Sequence, residues 1–146
     1  MDRYGRNSGT NFAAVPAEGR YSFWERAIPY LRNEKSYHRF EVKHGEHYCD
    51  KIDAIRSGNF NKLNEILAGE QQKPIAEEDF LNICKEYAKK IGEMKDEKGI
   101  TEDATYGLKG TVAKYNSNTP ELRGGAEQYT LPLSADSLIK IGVLEQ

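Results

Sequence analysis

The chain has 146 residues, 38% of them hydrophobic, and a net charge of −2 from 21 basic and 23 acidic side chains. This length and composition predict one globular domain that buries roughly two thirds of the surface of its unfolded chain. The charges are interspersed, without the basic stripe of a nucleic-acid-binding protein. No apolar run approaches the ~20 residues of a membrane span.

The first part of the chain is predicted to form turns and short strands. Residues 1–36 are rich in Gly, Asn, Pro and aromatic side chains, with a brief helix predicted near Ser22–Ala27. From Tyr37 to Val42 the side chains alternate in character, which predicts a strand.

The middle of the chain is predicted to be helical. Residues 49–57 and 60–68 have the pattern of two short helices that end at Gly58 and Gly69. Residues 75–97 form the clearest helix, with acidic residues in the first turn and lysines late, as the helix dipole favours. Its apolar stripe repeats at steps of three and four and consists of Phe80, Ile83, Cys84, Tyr87, Ile91 and Met94. Such a stripe is more often core than a partner-binding surface, although both interpretations are open.

The last part of the chain returns to strand patterns. Residues 107–115 alternate as a strand does, and residues 116–120 predict a loop. A Ser134-capped amphipathic helix stopped by Gly142 closes the chain. The predicted fold class is therefore α+β, with a small, mostly antiparallel sheet core and a helical insertion in the middle of the chain.

A glycine pair stands before a short predicted strand near the end. Gly124 and Gly125 have no Cβ, so backbone there can approach another group closely. The strand begins with Gln128, where a loop becomes rigid sheet. One neutral amide beside an approachable backbone suits a small polar ligand better than a metal ion.

Five segments occur in an order that resembles one protein family. They are Asp2-Arg3-Tyr4-Gly5, Gly9-Thr10-Asn11-Phe12, Phe23-Trp24-Glu25-Arg26-Ala27-Ile28-Pro29, Tyr37-His38-Arg39-Phe40-Glu41-Val42, and Gly124-Gly125-x-x-Gln128-Tyr129. This order resembles the tuberculosis-necrotizing-toxin (TNT) family of NAD glycohydrolases, which are toxin domains that cleave nicotinamide from NAD. The resemblance covers residues 1–42 and about 120–146, so residues 43–119 are expected to be a partly helical insertion.

The resemblance implies a single toxin-type domain over residues 1–146, as the C-terminal part of a longer protein. Its implied activity is hydrolysis of the nicotinamide–ribose bond of NAD(P)+, with the dinucleotide as substrate and no cofactor. It further implies a secreted or delivered effector that depletes the dinucleotide pool in the cytoplasm of a target cell. The implied protein partner is a cognate immunity protein.

The resemblance also implies catalytic and binding residues. Arg3 and Arg26 match positions at the NAD site, where a guanidinium offers a fork of donors to pyrophosphate oxygens. His38 matches an active-site histidine, and a positioning role fits because nicotinamide leaves without needing a proton. Gln128 can both donate and accept hydrogen bonds, so it could hold the ribose or orient water beside an oxocarbenium-like centre. Each of these side chains could instead have a purely structural role.

The remaining expected substrate contacts are aromatic rings and bare backbone. Phe12 and Tyr129 are candidates for stacking on aromatic parts of the dinucleotide, and core packing is the alternative for both. Gly124 and Gly125 are expected to bring backbone close to the substrate.

Two other functions remain open. The first is an ADP-ribosyltransferase, which breaks the same C–N bond and transfers ADP-ribose to a protein; Glu127, beside Gln128, suits activation of an acceptor. The second is a catalytically silent interaction domain that kept the scaffold.

The histidines and cysteines do not form a recognisable metal motif. His44, His47 and Cys49 lie within six residues but lack a second ligand pair with zinc-site spacing, so no metal site is predicted. Cys49 and Cys84 stand far apart without a pattern, which predicts free, buried thiols rather than a disulfide.

Overall fold

A computed structural model describes residues 1–4, 11–13, 37–98, 104–111 and 127–146. Within these ranges the fold is α+β, as predicted, with antiparallel strands and a helical middle region. The predicted helix near residues 22–27, the loop at 116–120 and the glycine pair at 124–125 lie outside the described residues.

The strands form two antiparallel sheets. In chain order they are β1 (Asp2–Tyr4), β2 (Asn11–Ala13), β3 (Tyr37–Arg39), β4 (Glu41–Val42), β5 (Leu108–Thr111), β6 (Glu127–Thr130) and β7 (Leu144–Glu145). The larger sheet has the order β3-β1-β2-β6-β5, and β4 pairs with β7 in the smaller one. The large sheet therefore joins strands from both ends of the chain.

The strand predicted from Tyr37 to Val42 is divided at Phe40. Residues before Phe40 pair with β1, and residues after it pair with β7. Phe40 itself donates its N–H to the Met1 carbonyl at 2.8 Å and is buried, with its ring edge-on to Phe12. The prediction of a single strand over this segment is therefore wrong, because its two halves pair with different strands.

The helices follow the predicted positions closely. A 3-10 turn at Gly45–His47 leads into α1 (Tyr48–Arg56), followed by α2 (Phe60–Gly69), α3 (Glu77–Lys98) and α4 (Ala135–Lys140). Gly58 and Gly142 have the positive φ of helix-terminating glycines, at 69° and 71°. Gly69 does not have this role, since the left-handed residue after α2 is Gln71, with φ 58°.

The helices share one core with the C-terminal segment. From α1, α2 and α3 this core takes Ile52, Ile55, Leu63, Leu67, Phe80, Ile83 and Tyr87, and from the C-terminal segment it takes Leu133, Leu138 and Ile141. Met94 is also buried, and Ile91 packs against the cluster partly exposed. The predicted stripe of α3 is therefore core. No helix in the described ranges is both long and apolar enough to cross a bilayer.

Glu86 of α3 connects the helical region to α4. One carboxylate oxygen accepts the Ser134 N–H at 2.6 Å, and the other accepts the Ser137 hydroxyl at 2.5 Å. Ser134 Oγ accepts the Ser137 N–H at 3.2 Å, which confirms the predicted cap. A negative charge beside the first turn also suits the helix dipole.

The cysteines are free thiols, as predicted. Their predicted burial is wrong for Cys49, which is exposed on α1, whereas Cys84 is partly buried in α3. The Cys84 thiol lies 3.4 Å from the Ile55 carbonyl, and burial raises its pKa. Both positions follow from the helical face on which each residue lies.

We expect Glu86→Ala to lower the free energy of unfolding by about 1.5–3 kcal/mol, because it removes two hydrogen bonds to a charged acceptor. Urea denaturation followed by circular dichroism measures this. Glu65→Ala is the control, since Glu65 is exposed on α2 and lies 4.0 Å from Lys62; a change within about 0.5 kcal/mol is expected. Equal losses in the two variants would contradict the bridging role of Glu86.

Candidate functional site

Four of the predicted site residues lie in one row across the large sheet. Arg3 pairs directly with His38, and Phe12 pairs with Tyr129. The pairing of Asp2 with Ala13 sets β1 against β2 so that Arg3 stands opposite Phe12. Residues paired in this way share a face of the sheet and are near neighbours. The fold thus brings together residues that are far apart in the sequence.

Two residues of this row, Phe12 and Tyr129, pack against the core. Phe12 is only 1% exposed, and the guanidinium carbon of Arg3 lies 5.7 Å from the centre of its ring. Tyr129 is partly buried against the same cluster. Phe12 therefore has the packing role considered as its alternative and offers no accessible ring to a ligand. Arg3, half-buried, is held by a cation–π contact.

Gln128 lies in the neighbouring row. Its partners are Ala13 on β2 and Gly110 on β5. Consecutive residues of a strand alternate between its faces, so this position belongs to the face opposite that of Arg3 and His38. The register does not bring these three predicted catalytic residues onto one surface. Arg26, Gly124 and Gly125 lie outside the described residues.

One open groove of about 420 Å³ lies beside the point where the two sheets meet. It is lined by Met1, Arg39, Phe40, Glu41, Glu145 and Gln146. The lining mixes both charges with apolar surface and includes none of the predicted site residues. Its position follows from the division of the strand at Phe40.

A second cluster of ionisable groups surrounds Glu70, just after α2. Its Oε2 lies 2.6 Å from Nδ1 of His47 and 3.9 Å from Nδ1 of His44, and its Oε1 accepts a hydrogen bond from Lys51 Nζ at 2.7 Å. His47 ends the 3-10 turn and Lys51 lies four residues later in α1, so the two side chains share one side of the helix. Both oxygens of the carboxylate therefore have partners.

The cluster is buried at one end and open at the other. The side chains of Lys51 and Glu70 are 0% exposed, whereas those of His44 and His47 are 35% and 40% exposed. Burial raises the pKa of Glu70, but the hydrogen bonds from Lys51 and His47 oppose this and set its pKa below the ordinary value. Glu70 is thus a carboxylate in the folded protein at neutral pH. Lys51 also donates to the Gly142 carbonyl at 3.4 Å.

The structure brings Glu70, which is distant in the sequence, to the two histidines. Cys49 follows His47 by two positions but is exposed, whereas Glu70 comes from another helix. The atoms offered by His44, His47 and Glu70 all lie within 4.8 Å of one another. The sequence carries no signal for Glu70, because its place depends on how α2 packs against α1.

Comparisons with known proteins identify no relative of this chain. No protein-family model matches the chain, and neither a curated protein nor a solved structure is significantly similar to it. We therefore infer the function from the sequence motifs and from the geometry of the sheet and of the Glu70 cluster.

We expect Lys51→Met to lower the free energy of unfolding by about 3–5 kcal/mol, because it leaves the Glu70 carboxylate buried without its main counter-charge. Lys62→Met changes an exposed lysine of α2 and is the control, with an expected effect within about 0.5 kcal/mol. Urea denaturation measures both.

The single variant Glu70→Met and the double variant Lys51→Met/Glu70→Met complete a double-mutant cycle with Lys51→Met. The double variant should lose less free energy of unfolding than the two single variants together, because it leaves no buried charge without its partner. Strictly additive losses would show that the two charges do not depend on each other.

Proposed function

We propose that this chain is an NAD(P)+ glycohydrolase domain that hydrolyses the nicotinamide–ribose bond to nicotinamide and ADP-ribose. The observation that supports this is the order of the strands. β1, β2, β3 and β6 come from the segments that resemble the TNT family, and they are contiguous in the sheet as β3-β1-β2-β6. Segments that share one substrate site must be adjacent in space, and these are.

The long middle segment does not interrupt this arrangement. Its helices pack into the core, and its strand β5 adds to the sheet outside β6, at the edge. The four strands are therefore neighbours in the sheet even though residues 43–119 separate β6 from the other three in the sequence. An insertion that left the matched strands apart would have argued against a shared site.

The proposed reaction assigns one chemical task to each residue. Arg3 binds the pyrophosphate through its guanidinium, and His38, paired with it, positions the ligand. The register places Gln128 on the opposite face of the sheet, so the proposal requires the dinucleotide to extend around the start of β6 to reach it. There Gln128 acts at the ribose, where loss of neutral nicotinamide leaves an oxocarbenium-like centre that water attacks. A fixed amide dipole stabilises that charge without reorganising.

The proposal includes the biological setting that such an activity requires. An enzyme that empties the dinucleotide pool endangers the cell that makes it. We therefore include delivery to the cytoplasm of a target cell and a cognate immunity protein that inhibits the domain in its producer.

Incubation with NAD+ and a fluorescent etheno analogue tests the proposal. Release of nicotinamide and ADP-ribose without labelled protein is the expected result. Labelled protein would instead identify an ADP-ribosyltransferase, for which Glu127 is the candidate activating residue. No cleavage of NAD+ or NADP+ would overturn the enzymatic proposal in favour of an interaction domain.

We expect Gln128→Ala to reduce turnover by about 10²–10³, the typical effect of removing one preorganised polar group at a developing charge. Steady-state nicotinamide release measures this, with Asn61→Ala on the surface of α2 as an amide control. Near wild-type turnover would remove Gln128 from the site. That result would leave Arg3 and His38 as the proposed site residues.

We expect Arg3→Ala to weaken NAD+ binding by about 1.5–3 kcal/mol, the range for a hydrogen bond to a charged group. Arg3→Lys should restore only part of this, because an ammonium lacks the planar fork. Calorimetry measures the affinity, and Arg56→Ala, an exposed arginine of α1, is the control. Unchanged affinity in a folded Arg3→Ala variant would exclude pyrophosphate binding by Arg3.

A further inference from the structure

The cluster around Glu70 points to a second site, separate from the sheet. We propose that His44, His47 and Glu70 bind one divalent transition-metal ion of the zinc class, with a fourth position open to solvent. Two imidazoles and one carboxylate are the protein ligands of known open zinc sites. The inference is independent of the proposed hydrolase activity.

The distances fit a tetrahedral ion after small movements. Zinc bonds of about 2.0–2.2 Å place neighbouring ligand atoms roughly 3.3–3.5 Å apart in a tetrahedron. The observed distances from Glu70 Oε2 are 2.6 Å to His47 Nδ1 and 3.9 Å to His44 Nδ1, which bracket that value. The shorter contact must lengthen and the longer one shorten, each by less than an ångström. The ligand nitrogens of the two histidines lie within 4.8 Å of each other and must settle at the same spacing.

The histidine rings have room to make these movements. Their planes are nearly parallel, at 4°, with centres 6.2 Å apart, so one ring must turn to aim its nitrogen at the ion. Side-chain exposures of 35% and 40% allow this rotation and also give the ion a route from solvent. The fourth position therefore faces water rather than the core.

Glu70 is held in place before any ion arrives. Its side chain is buried, and Lys51 donates a hydrogen bond to Oε1. Oε2 is therefore the one Glu70 oxygen that would bind the ion. Such a partner behind a ligand fixes its orientation and commonly governs affinity. The ion takes the place of the proton between His47 Nδ1 and Glu70 Oε2, and that proton moves to the other ring nitrogen or to solvent.

The backbone at His44 supports a role beyond packing. His44 has φ 51°, in the left-handed region that residues with a Cβ seldom occupy. Such conformations cost energy and concentrate at functional sites. Here the conformation starts the 3-10 turn and keeps both imidazoles beside Glu70.

The ligand set also selects the class of ion. Imidazole nitrogen favours Zn²⁺, Co²⁺, Ni²⁺ or Cu²⁺, whereas Mg²⁺ and Ca²⁺ prefer sites built only from oxygen. An ion here would join the turn before α1 to the end of α2. Because it would bind the folded chain, it should raise the thermal stability.

Calorimetry and thermal unfolding of the EDTA-treated full-length chain test the proposal near neutral pH. Zn²⁺ and Co²⁺ should each bind with a stoichiometry of one and raise Tm, and Mg²⁺ should do neither. Bound Co²⁺ should show the visible absorption bands of a four- or five-coordinate ion.

The variants keep the ion pair intact, so that they fold. His44→Asn removes an imidazole but tolerates the left-handed backbone, and His47→Gln removes the other imidazole. Each should weaken Zn²⁺ binding at least about tenfold, the lower range for losing a group that governs a metal site. Cys49→Ser is the matched control and should bind as the wild type does.

Two results would overturn the proposal. One is the absence of Zn²⁺ and Co²⁺ binding at about 100 µM ion, with no change in Tm. The other is unchanged affinity in both histidine variants, which would locate the ion elsewhere. Neither result depends on NAD+ cleavage, so failure of the metal site and failure of the hydrolase proposal remain distinguishable.

Discussion

The buried ion pair between Lys51 and Glu70 is the constraint on which the helical half of the structure depends. It joins α1 to the end of α2, and the hydrogen bond from Lys51 to the Gly142 carbonyl extends it to the C-terminal turn. Burying two charges costs several kcal/mol for each ion unless hydrogen bonds satisfy both. Glu70 meets this condition through Lys51 and His47, at the point where α2 ends.

The middle helices are part of the same core as the C-terminal segment. Glu86 on α3 accepts hydrogen bonds from Ser134 and Ser137 at the start of α4. The apolar faces of α1, α2 and α3 pack on Leu133, Leu138 and Ile141. The bonds from Lys51 to Gly142 and from Glu86 to Ser134 and Ser137 therefore both join the middle helices to the C-terminal segment. Deleting the middle helices would expose the core residues Leu133, Leu138 and Ile141 to solvent.

The sheet determines which of the proposed hydrolase residues are neighbours. Its contiguous strands bring Arg3 beside His38, while the period of two along β6 assigns Tyr129 and Gln128 to opposite faces. A shift of one residue along a strand therefore moves a side chain to the other face of the sheet. The proposed hydrolase and the proposed metal site lie on separate elements, the sheet and the turn before α1.

The sequence by itself determined the helices α1 to α4 and most of their ends, with Gly69 as the exception. The stripe of α3, the Ser134 cap and the glycines at 58 and 142 were readable because helical hydrogen bonds and caps join residues within about four positions. The tertiary structure decided the rest. The division at Phe40, the face of Gln128 and the meeting of His47 with Glu70 each depend on partners distant in the chain. Local patterns carry no information about such partners, since pairing and packing are settled only when the whole core assembles.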